Sequence, residues 1–158
     1  MKSILIGICI LTISYWSIKP LIAEGWFSMH DDTQVGRVVA MGRALRNGQF
    51  PVRWVSDLGF GYGYPLFNFY GPLPYYVGGG LYAVGLSGLT ATKIMFVLGI
   101  VGAAVTMFLF VRHLFGSIAG LVAAAAYLYA PYHAVQIYVR GAVGEFWILI
   151  FLPLILLG

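Results

Sequence analysis

The 158-residue chain is far more apolar than a water-soluble domain. Hydrophobic residues make up 61% of the sequence and charged residues only 9%, whereas soluble domains are about half apolar and about a quarter charged. The formal net charge of +4 includes no run of Lys and Arg that would follow a phosphate backbone. The composition therefore predicts an integral membrane protein in contact with the lipid bilayer, and it argues against a soluble fold and against nucleic-acid binding.

The first apolar segment, residues 4–18, has the length and the preceding charge of either a secretory signal peptide or a membrane span. The sequence Leu21-Ile22-Ala23 is a poor cleavage site, because Leu21 stands where a signal peptidase prefers a small residue. Tyr15 and Trp16 are aromatic residues of the kind that anchor a helix at the bilayer interface. We therefore expect an uncleaved first span.

Three further segments are apolar enough to cross a bilayer: residues 94–111, 118–134 and 146–158. Each is close to the lower limit of about 17 to 25 residues for a transmembrane helix. A fifth segment, residues 73–89, is ambiguous because it carries a triple glycine at 78–80. Each glycine weakens a helix by about 1 kcal/mol, so this segment either spans the membrane or forms a re-entrant or interface-lying helix.

The ambiguous segment decides the topology. If residues 73–89 span the membrane, Arg112 lies outside and Arg140 is cytoplasmic; otherwise the two sides are reversed. Cytoplasmic loops are enriched in Lys and Arg, which favours Lys2 and Arg112 together on the cytoplasmic side. We therefore predict a cytoplasmic N-terminus in the cell membrane, with Arg140 and the long loop of residues 19–72 on the outer side.

The loop of residues 19–72 holds four of the five acidic residues. Within it, apolar residues recur at helical spacing over residues 32–46, and Asn47 with Gly48 supplies a helix stop. This pattern predicts an amphipathic helix lying against the membrane. The stretch that follows, residues 59–72, is rich in aromatics, glycine and proline and predicts a structured loop. The cluster of Tyr and Phe residues from Phe60 to Tyr76 favours anchoring at the membrane interface, with a sugar-stacking platform as the alternative.

These elements predict an all-α fold. The expected architecture is a polytopic membrane helix bundle with a long outer loop that contains an amphipathic interfacial helix. Residues 1–158 show no repeat or linker, so we expect one transmembrane domain. Because the sequence ends within an apolar run, we also expect it to be the N-terminal portion of a longer protein.

The acidic pair Asp31–Asp32, preceded by His30, is the first candidate site. Carboxylate oxygens suit Mg²⁺ or Mn²⁺ better than zinc, and a carboxylate at this position could also act as a general base. The alternative is structural. Gln34 follows Asp31 by three residues, a capping-box pattern in which one carboxylate caps the amphipathic helix.

Arg140 and Glu145 form the second candidate site, between two apolar segments. Charges this close to hydrocarbon are costly and are usually functional. The planar guanidinium of Arg140 could clamp a phosphate, and Glu145 could orient it or share a metal. The alternative is an ion pair that ends one helix and starts the next. We interpret His133, a few residues earlier, as a polar interface residue rather than a ligand.

The chain resembles the N-terminal region of polytopic membrane glycosyltransferases of the GT-C fold, and more closely a family of uncharacterised membrane proteins labelled 6-pyruvoyl-tetrahydropterin-synthase-related. The resemblance extends over the whole chain. The stretches that carry it are His30-Asp31-Asp32 with Gln34 and Arg37, then Gly48-Gln49-Phe50-Pro51-Val52-Arg53-Trp54, Gly61-Tyr62-Gly63-Tyr64-Pro65-Leu66-Phe67, and Tyr138-Val139-Arg140-Gly141-Ala142 with Glu145.

The GT-C resemblance implies that Asp31 and Asp32 occupy the place of an active-site acidic residue or pair in the first outer loop. It implies a lipid-linked sugar as donor, on polyprenyl phosphate or pyrophosphate, and a phosphate-binding role for Arg140. The other residues that it marks as candidate substrate contacts are Glu145, His30, Gln34, Arg37 and Tyr64. No pterin is expected, because pterin synthases use a histidine-rich zinc site and this chain has three histidines, two of them beside apolar segments.

A membrane glycosyltransferase is therefore the leading hypothesis. A transporter or flippase fragment is the first alternative, in which the same charges line a polar cavity, and a non-catalytic membrane partner is the second. Transporters usually place their charges at mid-membrane, whereas Asp31 and Asp32 lie in a long loop. We predict that this pair faces one outer-side cavity together with Arg140 and Glu145.

Overall fold

The protein was analysed as a computed structural model that describes residues 2–158, and its secondary structure is helical. The helices are α1 (Lys2–Ile22), α2 (Gln34–Arg46), α3 (Leu73–Ala83), α4 (Gly88–Leu128), α5 (Pro131–Ala134) and α6 (Val143–Leu157), with a 3-10 turn at Leu66–Asn68 and a π-helical turn at Val135–Arg140. Over residues 2–158 the only β pairing is an isolated bridge between Val55 and Tyr64. The all-α prediction is confirmed.

The chain forms two compact units. Unit 1 consists of Met1–His30 and Phe96–Gly158, and unit 2 consists of Asp31–Met95. The two boundaries fall directly before the acidic pair and inside α4. Each unit is described by itself below.

Two helices are long and apolar enough to cross a membrane, namely Ile4–Ile22 and Gly88–Leu128. The first of them leaves most of its large apolar side chains exposed, as a helix surrounded by lipid does. Helix α6 is also apolar but shorter. Helix α3 has 11 residues and rises about 17 Å, well below the thickness of about 30 Å of a bilayer core. These helices indicate a membrane protein, while the number of crossings stays a prediction.

Helix α4 is interrupted at Gly116, where the backbone leaves helical geometry at φ 86° and ψ 174°. This conformation is open to glycine because it has no Cβ. A Cβ built on Gly120 would lie 2.9 Å from the carbonyl oxygen of Phe108, although these residues would be about 18 Å apart along a continuous helix. The chain therefore folds back at Gly116, and α4 has two antiparallel arms. This break separates the predicted apolar segments 94–111 and 118–134.

In unit 1, small residues bring the first arm of α4 against α6. A Cβ added to Gly99 would collide with the ring of Phe146, and one added to Gly102 would lie 3.1 Å from Cδ1 of Ile150. Tyrosine hydroxyls also connect α1 to the segment that follows α4. One of them, the hydroxyl of Tyr129, donates to the carbonyl oxygen of Ile13 at 2.5 Å.

In unit 2, glycines bring α2 and α3 into backbone contact. A Cβ built on Gly79 would lie 2.9 Å from the amide nitrogen of Gly42, and one built on Gly42 would lie 2.6 Å from the carbonyl oxygen of Gly79. Val38 and Met41 on the apolar face of α2 are fully buried. Much of this face is therefore covered by α3 and not by the membrane surface that its amphipathic pattern predicted. The triple glycine of α3 predicted a weak helix, whereas two of these glycines form the surface that packs on α2.

Candidate functional site

The acidic pair lies in a turn before α2, and neither carboxylate caps that helix. Helix α2 begins at Gln34, its N-cap is Thr33, and no side chain makes a cap hydrogen bond there. The predicted cap is therefore wrong. Asp31 lies two residues ahead of the N-cap, and its carboxylate binds a guanidinium instead of the first-turn amides.

Both carboxylate oxygens of Asp31 have partners. Oδ2 accepts a hydrogen bond from Nη1 of Arg37 at 2.7 Å, and Oδ1 accepts one from Oγ1 of Thr33 at 2.9 Å. The side chains of Arg37 and Asp31 are only 11% and 27% exposed. Charge-assisted hydrogen bonds are about twice as strong as neutral ones, so this pair fixes the turn to the first half of α2.

Two tyrosines extend the ion pair into a polar cluster. Arg37 also donates to the hydroxyl oxygen of Tyr75 at 3.4 Å and lies over the ring of Tyr70, 4.2 Å from its centroid. Tyr75 donates to Oε1 of Gln34 at 2.7 Å, and both side chains are buried. Burial raises the pKa of the Tyr75 hydroxyl, which keeps it protonated as a donor. We call Asp31, Gln34, Arg37, Tyr70 and Tyr75 the Arg37 cluster.

Asp32 and His30 lie in a different environment from Asp31. Both side chains are exposed, and within the described chain neither side chain makes a hydrogen bond or an ion pair. The backbone N–H of His30 donates to the carbonyl oxygen of Val139 at 2.8 Å. The two adjacent carboxylates therefore differ. Asp31 forms an ion pair with Arg37, whereas Asp32 is available to solvent or to a ligand.

The arrangement does not fit the Mg²⁺ or Mn²⁺ expected at Asp31 and Asp32. Both oxygens of Asp31 are already engaged by Arg37 and Thr33, and a guanidinium beside a metal ligand would repel the cation. Among residues 2–158, no group of three or more His, Cys, Asp or Glu side chains is placed to hold a metal ion. No step of the chemistry proposed below depends on a metal.

Arg140 and Glu145 form a two-pronged ion pair in unit 1. Nη1 of Arg140 lies 2.7 Å from Oε2 of Glu145, and Nη2 lies 3.0 Å from Oε1. Arg140 is the last residue of the π-helical turn, and Glu145 stands in the first turn of α6, where the helix dipole favours a negative charge. This geometry matches the ion-pair alternative, so a phosphate would have to compete with Glu145 for the guanidinium.

Gln136 joins the Arg140–Glu145 pair from one turn earlier. Its Nε2 donates to Oε2 of Glu145 at 2.6 Å, and its Oε1 accepts from Nη1 of Arg140 at 2.6 Å. Tyr132 adds a hydroxyl that accepts from Nε2 of Gln136 at 2.9 Å. Gln136 itself is fully buried, so the pair is anchored to the interior of unit 1 although its charged atoms are half exposed.

The predicted common cavity of the two sites stays a prediction. Asp31 and Asp32 belong to unit 2, and Arg140 and Glu145 belong to unit 1. Within each unit the predicted residues do come together, Asp31 with Gln34 and Arg37 and Arg140 with Glu145.

Tyr64, the remaining candidate contact, lies in the aromatic loop of unit 2. Its backbone exchanges two hydrogen bonds of 2.9 Å with Val55, and its ring stacks on Phe69 at a centroid distance of 6.4 Å. The turn between these paired residues projects Phe60 and Tyr62, which are 105% and 89% exposed. Both the membrane-anchor and the sugar-stacking interpretations of the loop stay predictions.

Three residues of these polar networks were not predicted from the sequence: Tyr70, Tyr75 and Gln136. Gln136 stands one helical turn before Arg140, and this spacing was a usable signal for a shared polar network. Tyr70 and Tyr75 had no such signal, because their contacts with Arg37 and Gln34 depend on how α3 and the loop before it pack against α2.

His133 is buried in unit 1, so the prediction that it lies at a polar interface is wrong. Its side chain is only 4% exposed and packs edge-on against Tyr127 with ring centroids 4.6 Å apart. The rings of Tyr127 and Phe146 pack against the imidazole and shield it from solvent.

Comparisons with protein-family models, with curated proteins and with solved structures find no match for this chain. The likeness to GT-C enzymes therefore rests on the sequence stretches named above.

The Glu145 pair predicts a pH dependence of stability. Hydrogen bonds from Arg140 and Gln136 lower the pKa of Glu145 below its ordinary value. A carboxyl group with a lowered pKa in the folded state stabilises the fold above its ordinary pKa, and this contribution is lost as the pH falls through the lowered value. We expect thermal unfolding in detergent to show this loss below about pH 4.5 in the wild type and a weaker one in Glu145→Gln; equal profiles would contradict the pair's role.

Proposed function

We propose that this chain is part of a membrane glycosyltransferase that moves a sugar from a polyprenyl-phosphate donor to an acceptor hydroxyl at the outer face of the cell membrane. The observation that carries the proposal is Asp32. It is an exposed carboxylate without a partner in the described chain, on the loop segment where the resembling enzymes hold their acidic residue.

Asp32 acts in this proposal as the general base. A carboxylate within hydrogen-bond reach of the acceptor hydroxyl takes its proton as the oxygen attacks the sugar's anomeric carbon, and the bond to the donor phosphate breaks. A carboxylate whose oxygens already accept hydrogen bonds from a guanidinium is less available to take a proton from an acceptor hydroxyl. Asp31 is paired with Arg37 and therefore has a structural role in the turn before α2.

The donor phosphate binds at Arg140 in this proposal. Planar guanidinium groups match phosphate oxygens with two parallel hydrogen bonds. Gln136 and Glu145 hold the Arg140 guanidinium by hydrogen bonds before the donor arrives. The donor phosphate then replaces Glu145 as the acceptor of the hydrogen bonds from Arg140. The loop of residues 19–72 then lies on the outer side, opposite a cytoplasmic N-terminus.

The proposal is tested by a transfer assay in membranes that contain the protein. Each of a panel of radiolabelled polyprenyl-phosphate sugars is supplied, and labelled product is measured against membranes without the protein. We expect transfer from at least one polyprenyl-linked donor and a loss of that transfer with Arg140→Lys, since an ammonium group cannot make the two-pronged contact. No transfer from any donor would favour a non-catalytic membrane partner.

A further inference from the structure

An apolar cavity lies within unit 1, beside the C-terminal half of α1. Its volume is about 190 Å³, and its lining includes Trp16, Ser17, Leu128, His133, Ala134 and Tyr138. A dry apolar cavity of about 150 Å³ is large enough to bind benzene. This cavity therefore has room for several carbons of a lipid chain.

His133 is the unusual member of this lining. It is 4% exposed, and neither of its ring nitrogens has a hydrogen-bond partner in the described chain. A neutral imidazole carries one N–H donor and one acceptor nitrogen, and buried polar groups normally have partners. The cavity therefore has a hydrogen-bonding group that no other part of the described chain uses.

The two tyrosine hydroxyls in the lining are already used. Tyr129 donates to the carbonyl oxygen of Ile13 at 2.5 Å, and Tyr138 donates to that of Ser17. Both contacts hold the cavity wall to α1. A ligand in the cavity would thus meet apolar surface together with the unpartnered imidazole of His133.

We propose that this cavity binds one bilayer phospholipid, with the first carbons of an acyl chain in the cavity and the ester carbonyl oxygen accepting a hydrogen bond from His133. Helix α1 is a candidate span, and most of its large apolar side chains are exposed, so lipid chains are the surrounding solvent. Trp16 and Tyr129 in the lining are 64% and 49% exposed and are aromatic types enriched at the depth of lipid headgroups and esters. The proposal does not depend on sugar transfer.

The hydrogen bond is tested without changing the protein. Purified protein is exchanged into detergent with either a diester phosphatidylcholine or the diether analogue of equal chain length, and bound lipid is counted by native mass spectrometry. We expect the diester lipid to bind about fivefold more tightly, the value of one neutral hydrogen bond, and His133→Phe to abolish that preference. Equal binding of the two lipids by the wild type would overturn the proposal.

The cavity is tested by filling it. Ala134→Leu places a larger side chain in the lining and is expected to lower the count of retained diester lipid. The matched control is Ala126→Leu, which adds the same volume at an exposed position outside the lining and should retain lipid like the wild type. Equal retention by the two variants would also overturn the proposal, provided that both keep the wild-type unfolding temperature.

Discussion

Replacing Asp32 by asparagine is expected to lower sugar transfer at least about 100-fold, the usual lower value for the loss of a general base. Asparagine has nearly the same volume but cannot accept a proton. Asp32 is exposed and has no partner in the described chain, so the unfolding temperature and the abundance in the membrane should not change. The measurement is the rate of transfer from the polyprenyl-linked donor at equal protein level.

Asp31→Asn is the matched control for this experiment, because it makes the same chemical change one residue earlier. It weakens the hydrogen bond from Arg37, and we expect a lower unfolding temperature with transfer retained by the protein that stays folded. Full transfer activity of Asp32→Asn at normal abundance would contradict the assignment of the base. A large loss of activity with Asp31→Asn alone would identify Asp31 as the general base.

Gly79→Ala is expected to destabilise unit 2 by about 1–3 kcal/mol, as overpacking of a well-packed interior does. The added Cβ would lie 2.8 Å from Cβ of Met41 and 2.9 Å from the amide nitrogen of Gly42. The second contact is with backbone, so α2 and α3 would have to move apart. Denaturant unfolding of the purified protein in detergent measures the change.

Gly80→Ala provides the control at the next residue of the same helix. A Cβ at Gly80 meets nothing within 4 Å, and alanine favours a helix over glycine by up to about 1 kcal/mol. Stability should therefore hold or rise. Similar losses for the two variants would mean that the glycines of α3 do not form the contact with α2.

Hydrophobic patterning predicted the helices well because it depends on local sequence. The apolar segments, the amphipathic helix and the helix stop at Asn47 with Gly48 all follow from spacing along the chain. Segment 73–89 was ambiguous because glycines weaken an isolated helix. Its glycines at 78 and 79 instead allow α3 to pack directly on α2. The stability gained from this packing depends on α2 and cannot be predicted from the sequence of the segment alone.

The sequence identified which residues form the candidate sites, but it did not predict most of their hydrogen-bond partners. Asp31 was expected to cap α2 because of its distance from Gln34, yet the side chain of Arg37 reaches back one and a half turns to it. The position of that guanidinium depends on Tyr70 and Tyr75, which come from a loop and a helix more than 30 residues later. The ion pair of Arg140 and Glu145 was easier to predict, because both residues lie close together in the sequence, in one short connection between helices.

The central claim is that the acidic pair has divided roles, and a double-mutant cycle between Asp31 and Arg37 tests it most directly. The free energy of unfolding is measured for Asp31→Ala, Arg37→Ala and the double variant, and the same cycle is run with Asp32→Ala. We predict a coupling of about 1.5–3 kcal/mol for Asp31, as for a hydrogen bond to a charged group, and one within about 0.5 kcal/mol of zero for Asp32. Equal couplings, or a larger one for Asp32, would contradict the division of roles.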